Sequence, residues 1–339
     1  MWKTVGHDKA VSALSQALTD NRMSHAFLIT GASRVGKMSL ALDMARALNC
    51  IGDDPPCGVC GQCRRVTDEL HPDVRVIGLE KDSDTGRLRT VISIDQVREV
   101  QRDVSLKPYE GKSRVVIFDG AENLREEAAN SLLKTLEEPP DQVVIILLAL
   151  DAANVLPTIL SRCRRIDLRP IGAEIIADHL YRLYTTDRQL AEEVARMSGG
   201  RIGWAIQATQ EPEMLEAISD RLDAVEQTVA SSLEARFEYA EQLARRFSQG
   251  RAEVLEELDL WLGWWRDGMV ISQGKPELVW NVSRLSALQS TSASTSLSQA
   301  AATVKAVQRA IDLLQRNVNS RLTIEELMLA VPNVVISPA

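Results

Sequence analysis

The first half of the chain alternates short apolar runs with stretches of helical spacing. Candidate strands occupy residues 26–30, 74–77, 115–118, 143–150 and 165–168, and those at 115–118 and 143–150 are continuous apolar runs with the length of buried strands. Helical spacing lies between them, at residues 39–48, 94–104 and 126–136. Continuous apolar strands separated by helices are typical of a parallel sheet that is covered on both faces. We therefore predict an α/β domain with a parallel sheet.

The pattern changes after Pro170, where the predicted strands stop. Residues 173–208 indicate short helices with a break at Ser198-Gly199-Gly200, and the chain is helical in pattern from about 211 onward. The Ser- and Thr-rich tract at 290–298 is interpreted as a loop or a helix start. An all-helical part is thus expected to follow the sheet domain.

A phosphate-binding loop follows the first predicted strand. Residues 31–38 read GASRVGKM, which matches G-x-x-x-x-G-K-[ST] at every position except the last. The glycines, Gly31 and Gly36, let backbone N–H groups surround phosphate, and Lys37 reaches the β- and γ-phosphates. Met38 replaces the hydroxyl that holds Mg²⁺, and a thioether is a poor ligand for an ion that prefers oxygen. We predict a genuine phosphate loop with an impaired metal site.

A second part of a nucleotide site is predicted after the strand at 115–118. Asp119 stands where a phosphate-loop ATPase places the aspartate that helps to hold Mg²⁺, and an aspartate that only caps the turn is the alternative. The glutamate that orients the attacking water usually comes next, but this chain has Gly120, and we expect Glu122 to point elsewhere. Weak binding of ATP or ADP is expected at most, through Lys37 and the loop amides at a helix N-terminus.

Four cysteines lie close together after the loop helix. Cys57, Cys60 and Cys63 are spaced C-x-x-C-x-x-C, and Cys50 lies seven residues upstream of Cys57. Four thiolates in a short segment predict a tetrahedral structural zinc site, with no open position for a catalytic water. Free thiols or disulfides are the alternatives, and the cytoplasm disfavours disulfides.

Size and charge narrow the class of protein. The chain has 339 residues, enough for two or three domains, and it is 45% hydrophobic and 25% charged. No apolar run approaches the roughly 20 residues that span a bilayer, and the N-terminus lacks a signal-peptide core, so we expect a cytoplasmic protein with no membrane partner. The net charge of −8 argues against strong nucleic-acid binding by this chain alone.

Several motifs in a fixed order resemble one family. They are HAFL at 25–28, the phosphate loop, the four-cysteine insert, NSLLKTLEEPP at 130–140 and SRC at 161–163. This series resembles the bacterial DNA polymerase III clamp-loader subunits, which are AAA+ proteins. The resemblance is strong over residues 1–170 and weaker beyond, where Arg316-Asn317-Val318-Asn319 is similar to a collar segment. It implies a RecA-like AAA+ domain at 1–170 with a zinc insert at 50–63, a helical lid at 171–210 and a helical collar for oligomerisation at 211–339.

Two subunit types of this family carry such an insert, the ATPase motor (gamma or tau) and delta-prime. Four positions separate the two types, and none has the polar group expected of a motor. The positions are Met38, Gly120, a sensor-1 position at Ala149 or Leu150, and a sensor-2 position at Gly203 with Arg201 as a displaced alternative. Motor subunits often extend beyond the collar, and the chain ends just after it, which agrees with the delta-prime type.

The SRC motif, by contrast, is intact. The resemblance implies that Arg162, flanked by Ser161 and Cys163, enters a neighbour's ATP site as an arginine finger, a device worth about 10³–10⁵ in rate. A surface arginine with a local salt bridge is the alternative. A chain whose own ATP site lacks the expected polar groups but whose arginine finger is intact resembles delta-prime, a non-hydrolysing stator. It implies a heteropentamer with motor and delta subunits that loads the sliding clamp onto primer–template DNA.

Two other functions remain open at this point. One is a motor-type clamp-loader ATPase with atypical motifs, and the other is an AAA+ interaction protein that has borrowed the fold. The stripe of Trp261, Trp264 and Trp265 is interpreted as packing of the C-terminal helices rather than as a base-stacking platform.

Overall fold

Five segments of the chain form one parallel sheet, as the sequence pattern predicts. The computed structural model describes residues 1–81, 89–316 and 318–334, so Asn317 of the predicted collar segment lies outside it. The strands are β1 (Ala26–Thr30), β2 (Val74–Ile77), β3 (Arg114–Asp119), β4 (Val143–Ala149) and β5 (Arg164–Asp167). Their order across the sheet is β2-β3-β4-β1-β5, so β1 lies between β4 and β5.

Helices cover both faces of this sheet. They are α1 (Asp8–Thr19), α2 (Lys37–Asn49), α3 (Gly61–Thr67), α4 (Ile94–Val104), α5 (Glu126–Glu137) and α6 (Pro157–Leu160). On one face Leu28 and its neighbours pack with α4 and α5, and on the other Phe27 and Ile29 pack with α1 and α2. Strand side chains alternate between the faces, so a strand buried on both sides is apolar along its length, as β4 is and as β1 is up to Thr30.

The rest of the described residues are mainly helical. The helices are α7 (Ala173–Leu183), α8 (Arg188–Met197), α9 (Ile202–Gln210), α10 (Pro212–Ala230), α11 (Leu233–Gln249), α12 (Arg251–Ser272), α13 (Leu285–Ser294), α14 (Leu297–Gln315) and α15 (Ser320–Ala330). The Ser- and Thr-rich tract forms the end of α13 and the start of α14, which Ser296 caps in a capping box with Gln299. No helix among the described residues is long and apolar enough to cross a membrane.

The chain forms two compact units. The first contains Met1–Ile176 and Gly200–Trp204, and the second contains Ala177–Gly199 and the chain from Ala205 onward. The division into a RecA-like domain, a lid and a collar at residues 170 and 210 stays a prediction.

The second unit has an aromatic core on α12. Trp261, Trp264 and Trp265 are fully buried, which confirms their interpretation as packing residues. Trp261 Nε1 donates to the Tyr239 hydroxyl at 3.1 Å, and Tyr239 donates to the buried Glu257 carboxylate at 2.5 Å. The three tryptophans are thus part of the helix packing and offer no exposed ring for base stacking.

Candidate functional site

The phosphate loop lies at the carboxyl edge of the sheet, where open parallel sheets bind their ligands. It leaves the end of β1 and leads into α2, with Gly36 at the N-cap of that helix. Gly31 N–H donates to the Ala149 carbonyl at the end of β4 (3.3 Å), and His7 Nε2 is 3.1 Å from the Val35 carbonyl oxygen. The strand, loop and helix order expected of the motif is therefore present.

Lys37 is the charged residue of the loop, and it is held by the loop itself. Its Nζ donates to the carbonyl oxygens of Gly31 (2.6 Å) and Ala32 (2.8 Å). Burial lowers the pKa of Lys37, while the carboxylates of Glu122 and Asp119 act to raise it. The ammonium thus sits in a partly buried position with two acidic groups within electrostatic range.

Met38 takes the place of the metal-binding hydroxyl. Its side chain packs against the apolar cluster that contains Leu40 and Met44 of the same helix. The next residue, Ser39, is exposed, as expected for a side chain about 100° further around the helix. The residues therefore do not fit a Mg²⁺ ion at this position, because neither the thioether nor Ser39 supplies the usual oxygen.

The turn after β3 brings two carboxylates towards Lys37. Asp119 is exposed at the end of the strand, and Gly120 follows with φ +90°. We expected Glu122 to point elsewhere, but its carboxylate accepts the Leu150 N–H at 3.3 Å and lies near Lys37 and Asp119. Burial raises the pKa of Glu122, and the Asp119 carboxylate acts in the same direction, while Lys37 opposes both. The left-handed turn at Gly120 explains the difference, because it redirects the chain before Glu122.

The two predicted sensor positions lack polar side chains in the structure as in the sequence. Ala149 is the last residue of β4 and is buried, and Leu150 follows it. Gly203 N–H donates to the Arg34 carbonyl at 2.8 Å, and an added Cβ would lie 3.0 Å from the same oxygen. Arg201, the displaced alternative, stacks over the Trp204 ring at 5.8 Å. The assignment of these positions as sensors stays a prediction.

The four cysteines of the insert come together as predicted. The Sγ atoms of Cys50, Cys57, Cys60 and Cys63 all lie within 4.8 Å of one another, and those of Cys50 and Cys60 are 4.0 Å apart. A tetrahedral zinc with Zn–S bonds of about 2.3 Å places its sulfurs about 3.8 Å apart, so the cluster has the size of a Cys₄ zinc site. The ligand atoms and their spacing fit zinc.

Backbone N–H groups point at these sulfurs. Cys50 Sγ accepts from Gly52 and Cys57 (both 3.3 Å), and Cys57 Sγ accepts from Cys60 N–H (3.4 Å). Burial acts to raise the pKa of Cys60, but hydrogen bonds from the Ile51 and Cys63 backbone, and from the neighbouring thiols, lower it to about 6. Burial raises the pKa of Cys63 to about 12. Such N–H donors stabilise thiolates, which are the form that binds zinc.

Two residues connect the insert to the sheet domain, Lys112 through its side chain and Arg46 through its backbone carbonyl. Lys112, just before β3, donates to the Cys50 carbonyl oxygen at 2.5 Å. Arg46 of α2 forms a buried ion pair with Asp43, and its carbonyl oxygen lies 3.9 Å from the Cys63 sulfur. Asp43 also accepts from Lys3 and Thr4 N–H (2.8 and 2.7 Å). The insert is thus attached to the core of the first unit.

Arg162 lies immediately after the turn that ends α6. Its Nε donates to Glu137 Oε1 at 2.8 Å, its Nη2 contacts the same oxygen, and its Nη1 donates to Thr158 O (2.8 Å) and Ser161 Oγ (3.0 Å). The Arg162 side chain is 32% exposed and that of Glu137 51% exposed. The structure therefore shows a local ion pair on an accessible surface, and the role of Arg162 in a neighbour's site stays a prediction.

The other residues of the SRC motif support this turn. Ser161 ends α6 and its hydroxyl also donates to the Thr158 carbonyl at 3.1 Å. Cys163 packs against the core cluster beside α5, and burial raises its pKa to about 12. Cys163 is therefore a packing residue and not a reactive thiol.

Sequence reasoning missed the partner of Arg162. Glu137 lies in the LEEPP part of the motif at 130–140, 25 residues before Arg162. The motif indicated the family, but no spacing in the sequence links the two residues. Only the packing of α5 beside α6 brings their side chains together.

Comparison with known proteins finds similarity to DNA polymerase III subunits. The model of the family described as "DNA polymerase III, delta subunit" matches residues 6–172. The chain is 34% identical over 193 residues to DNA polymerase III subunit tau/gamma of Haemophilus influenzae, a match that covers 56% of this chain and 27% of that protein. It is 33% identical over 199 residues to subunit delta' of the same organism, covering 58% of this chain and 59% of that protein.

The chain spans less than two thirds of the length of these curated relatives. Among solved structures, it is similar to a DNA polymerase III gamma subunit-related protein from Thermotoga maritima, with 19% identity and a TM-score of 0.43 over 93% of this chain and 97% of that chain. Relatives of both the tau/gamma and the delta' type thus match more than half of the chain.

Proposed function

The chain belongs to the DNA polymerase III clamp-loader family, and from that premise we propose that it is a delta-prime-like stator subunit of a clamp loader. In this role it does not hydrolyse ATP. It helps a heteropentamer of motor (gamma or tau), delta and stator subunits to place the sliding clamp on primer–template DNA. DNA is contacted through the complex.

One contrast carries this proposal. The phosphate loop has Met38 where Mg²⁺ needs an oxygen, and the turn after β3 has Gly120 where the water-orienting glutamate belongs. Arg162, on the other hand, lies in an intact motif on an accessible surface. A chain with these features can supply an arginine to a neighbour's ATP while its own site is inactive.

We also propose that the four cysteines hold a structural zinc. All four positions of a tetrahedral zinc would be filled by thiolates, so no site is left for a reacting water. The contribution of the metal would be to fix the insert against α2 and β3, where Arg46 and Lys112 make their contacts.

The deciding experiment compares ATP hydrolysis by the purified chain with hydrolysis by a reconstituted loader. We expect no magnesium-dependent turnover by the chain alone. In the loader, Arg162→Ala should lower DNA-stimulated turnover by at least about 10³-fold at the one site that it serves. Arg164→Ala is the matched control, since Arg164 is an exposed arginine two residues further on. Clear turnover by the chain alone that Lys37→Ala abolishes would contradict the stator assignment.

A motor-type ATPase with atypical motifs is the second candidate, and one observation favours it. The Glu122 carboxylate lies near Lys37 and Asp119, so an acidic group is present at the loop although Gly120 is not a glutamate. If Glu122 acts as the base, the purified chain should hydrolyse ATP and Glu122→Gln should abolish that activity. Loss of activity in Lys37→Ala but not in Glu122→Gln would exclude this role for Glu122.

A further inference from the structure

Arg162 is anchored within its own chain before any neighbour approaches. A guanidinium has five N–H donors. Two of them, on Nε and Nη2, point to Glu137 Oε1, and the two on Nη1 are directed to Thr158 O and Ser161 Oγ. Four of the five donors therefore have partners in this chain, and one Nη2 hydrogen remains.

Glu137 covers the edge of the guanidinium that a phosphate would need. Arginine binds phosphate best through two parallel N–H groups, as a fork. The Nη1 side of Arg162 is already directed to the α6 turn, so the Nε and Nη2 edge is the fork that could face a neighbour. That edge is the one occupied by Glu137 Oε1.

The pair must separate for Arg162 to act on phosphate. Together Arg162 and Glu137 carry no net charge, and a neutral pair offers little attraction to a negative phosphate. Both contacts end on a single carboxylate oxygen, and the side chains are 32% and 51% exposed. Exposed pairs of this kind are weak, and exchange of Glu137 for phosphate is expected to cost only a factor of about 1.4 to 5.

We propose that Glu137 is a positioning residue. It holds Arg162 against the α6 turn until a phosphate of the ATP bound to a neighbouring subunit replaces the Glu137 carboxylate. The contacts with Thr158 and Ser161 persist after this exchange and keep the guanidinium oriented. The proposal rests on the proposed role of Arg162 in trans.

The test uses the reconstituted loader with the Glu137→Gln subunit. Glutamine keeps the shape of the side chain and removes its charge, so the fork is released more easily. At the one site that Arg162 serves, we expect kcat of DNA-stimulated ATP hydrolysis to rise by about 1.4- to 5-fold with little change in KM, since a finger acts on the transition state. Glu138→Gln is the control, because it removes the same charge from the next residue, which is not a hydrogen-bond partner of Arg162 in the described chain. Equal subunit stoichiometry of the assembled loaders shows that both variants fold and assemble.

Combination with Arg162→Ala separates the two proposals. Glu137→Gln in the Arg162→Ala background should leave turnover at the value of Arg162→Ala alone. Three results would overturn the role of Glu137: an unchanged or lower kcat in Glu137→Gln, an equal rise in Glu138→Gln, or a rise that persists without Arg162. In each case a strong loss in Arg162→Ala would still support the stator function. No loss in Arg162→Ala would overturn both proposals.

Discussion

Gly120 shapes the turn between β3 and the candidate nucleotide site. Its φ of +90° lies in the left-handed region, and an added Cβ would lie 2.5 Å from the Asn123 side-chain nitrogen. The backbone conformation of this turn therefore favours glycine over glutamate at position 120. A glutamate placed here would have to accept the same strain, so restoring it does not by itself restore a motor.

Gly120→Ala should lower the free energy of unfolding by about 1–2 kcal/mol, because an L-residue is disfavoured in the left-handed region. Chemical denaturation of the purified chain measures this. Gly61→Ala is the matched control, since Gly61 is the exposed first residue of α3, is outside that region and has no atom within 4 Å of its added Cβ. Its effect should stay within about 0.5 kcal/mol. Equal effects of the two substitutions would contradict the argument.

Asp73 is a second residue with a structural role, which comes from the hydrogen bonds that its buried carboxylate accepts. It is 1% exposed and accepts N–H groups from Tyr109 (2.7 Å), Glu110 (2.9 Å) and Gly111 (2.8 Å), and Arg114 Nη2 at 3.1 Å. Burial acts to raise the pKa of Asp73, but the three backbone N–H donors and Arg114 outweigh it and lower the pKa below its ordinary value. The ionised form therefore fixes the segment that leads into β3.

The sign of the pH effect follows from this lowered pKa. The carboxylate contributes its full stability above the unfolded pKa of about 3.9 and loses it as the pH falls through the lower folded pKa. At pH 7, Asp73→Asn should lower the free energy of unfolding by about 2–3 kcal/mol, the value of hydrogen bonds to a charged group. Urea denaturation at pH 7 and pH 3 should show a smaller difference at pH 3. Asp141→Asn, at an exposed position, should have little effect at either pH, and a pH-independent loss in Asp73→Asn would contradict the argument.

At the scale of elements, the insert between α2 and β2 depends on its cysteines more than on an apolar core. Its helix α3 has seven residues, too few to be stable alone, and Cys60 caps that helix by accepting from Cys63 N–H. Ile51 and Val59 of the insert are exposed. The metal that we propose would supply the cross-links that hydrophobic burial does not.

Cys57→Ala should reduce bound zinc from about one equivalent to less than about half, and residues 50–63 should become sensitive to protease. Cys163→Ala is the control, since that thiol lies apart from the four and packs against the sheet. It should keep the zinc of the unchanged protein. Metal analysis of freshly purified chains decides the matter, and equal zinc in the two variants would refute the site.

The bounds of the strands and helices that depend on local sequence pattern were predictable from the sequence. Strands β1 and β2 and helix α4 have the predicted bounds, and the other strands differ by one residue at either end. Runs of apolar residues fix a buried strand wherever it lies in the fold. The phosphate loop, Asp119 and the four cysteines were also predictable, because spacing within a short segment determines their geometry.

Contacts between distant segments were not predictable in this way. The pair of Glu137 and Arg162 and the hold of Asp73 on residues 109–111 depend on how helices and loops pack on the sheet. The approach of Glu122 to Lys37 depends on one left-handed glycine. A single sequence has no period or spacing that records such contacts, so these parts of the site required the structure.

At the scale of the whole molecule, the net negative charge limits how tightly the isolated chain can bind DNA. The sequence has 39 lysines and arginines against 47 aspartates and glutamates. Basic side chains are often paired with acids, as on α4, where Arg98 lies 3.6 Å from Asp95, while Glu99 and Asp103 of the same helix bind Arg75. Phosphate contacts by unpaired lysines and arginines supply most non-specific affinity for DNA. If the proposed function is correct, primed DNA is therefore bound by the assembled loader rather than by this chain alone.

The isolated chain should bind labelled primer–template DNA with a dissociation constant weaker than about 10 μM at about 0.15 M salt, at the weak end of non-specific binding. Fluorescence anisotropy over a series of salt concentrations measures both the affinity and its salt dependence. The reconstituted loader, with ATP and at the same salt, is the positive control and should bind the same DNA much more tightly. A dissociation constant below about 1 μM for the chain alone, rising steeply with added salt, would reveal a basic surface that the net charge conceals. Because an acidic chain repels the phosphate backbone on average, only a local cluster of unpaired cations could produce that result.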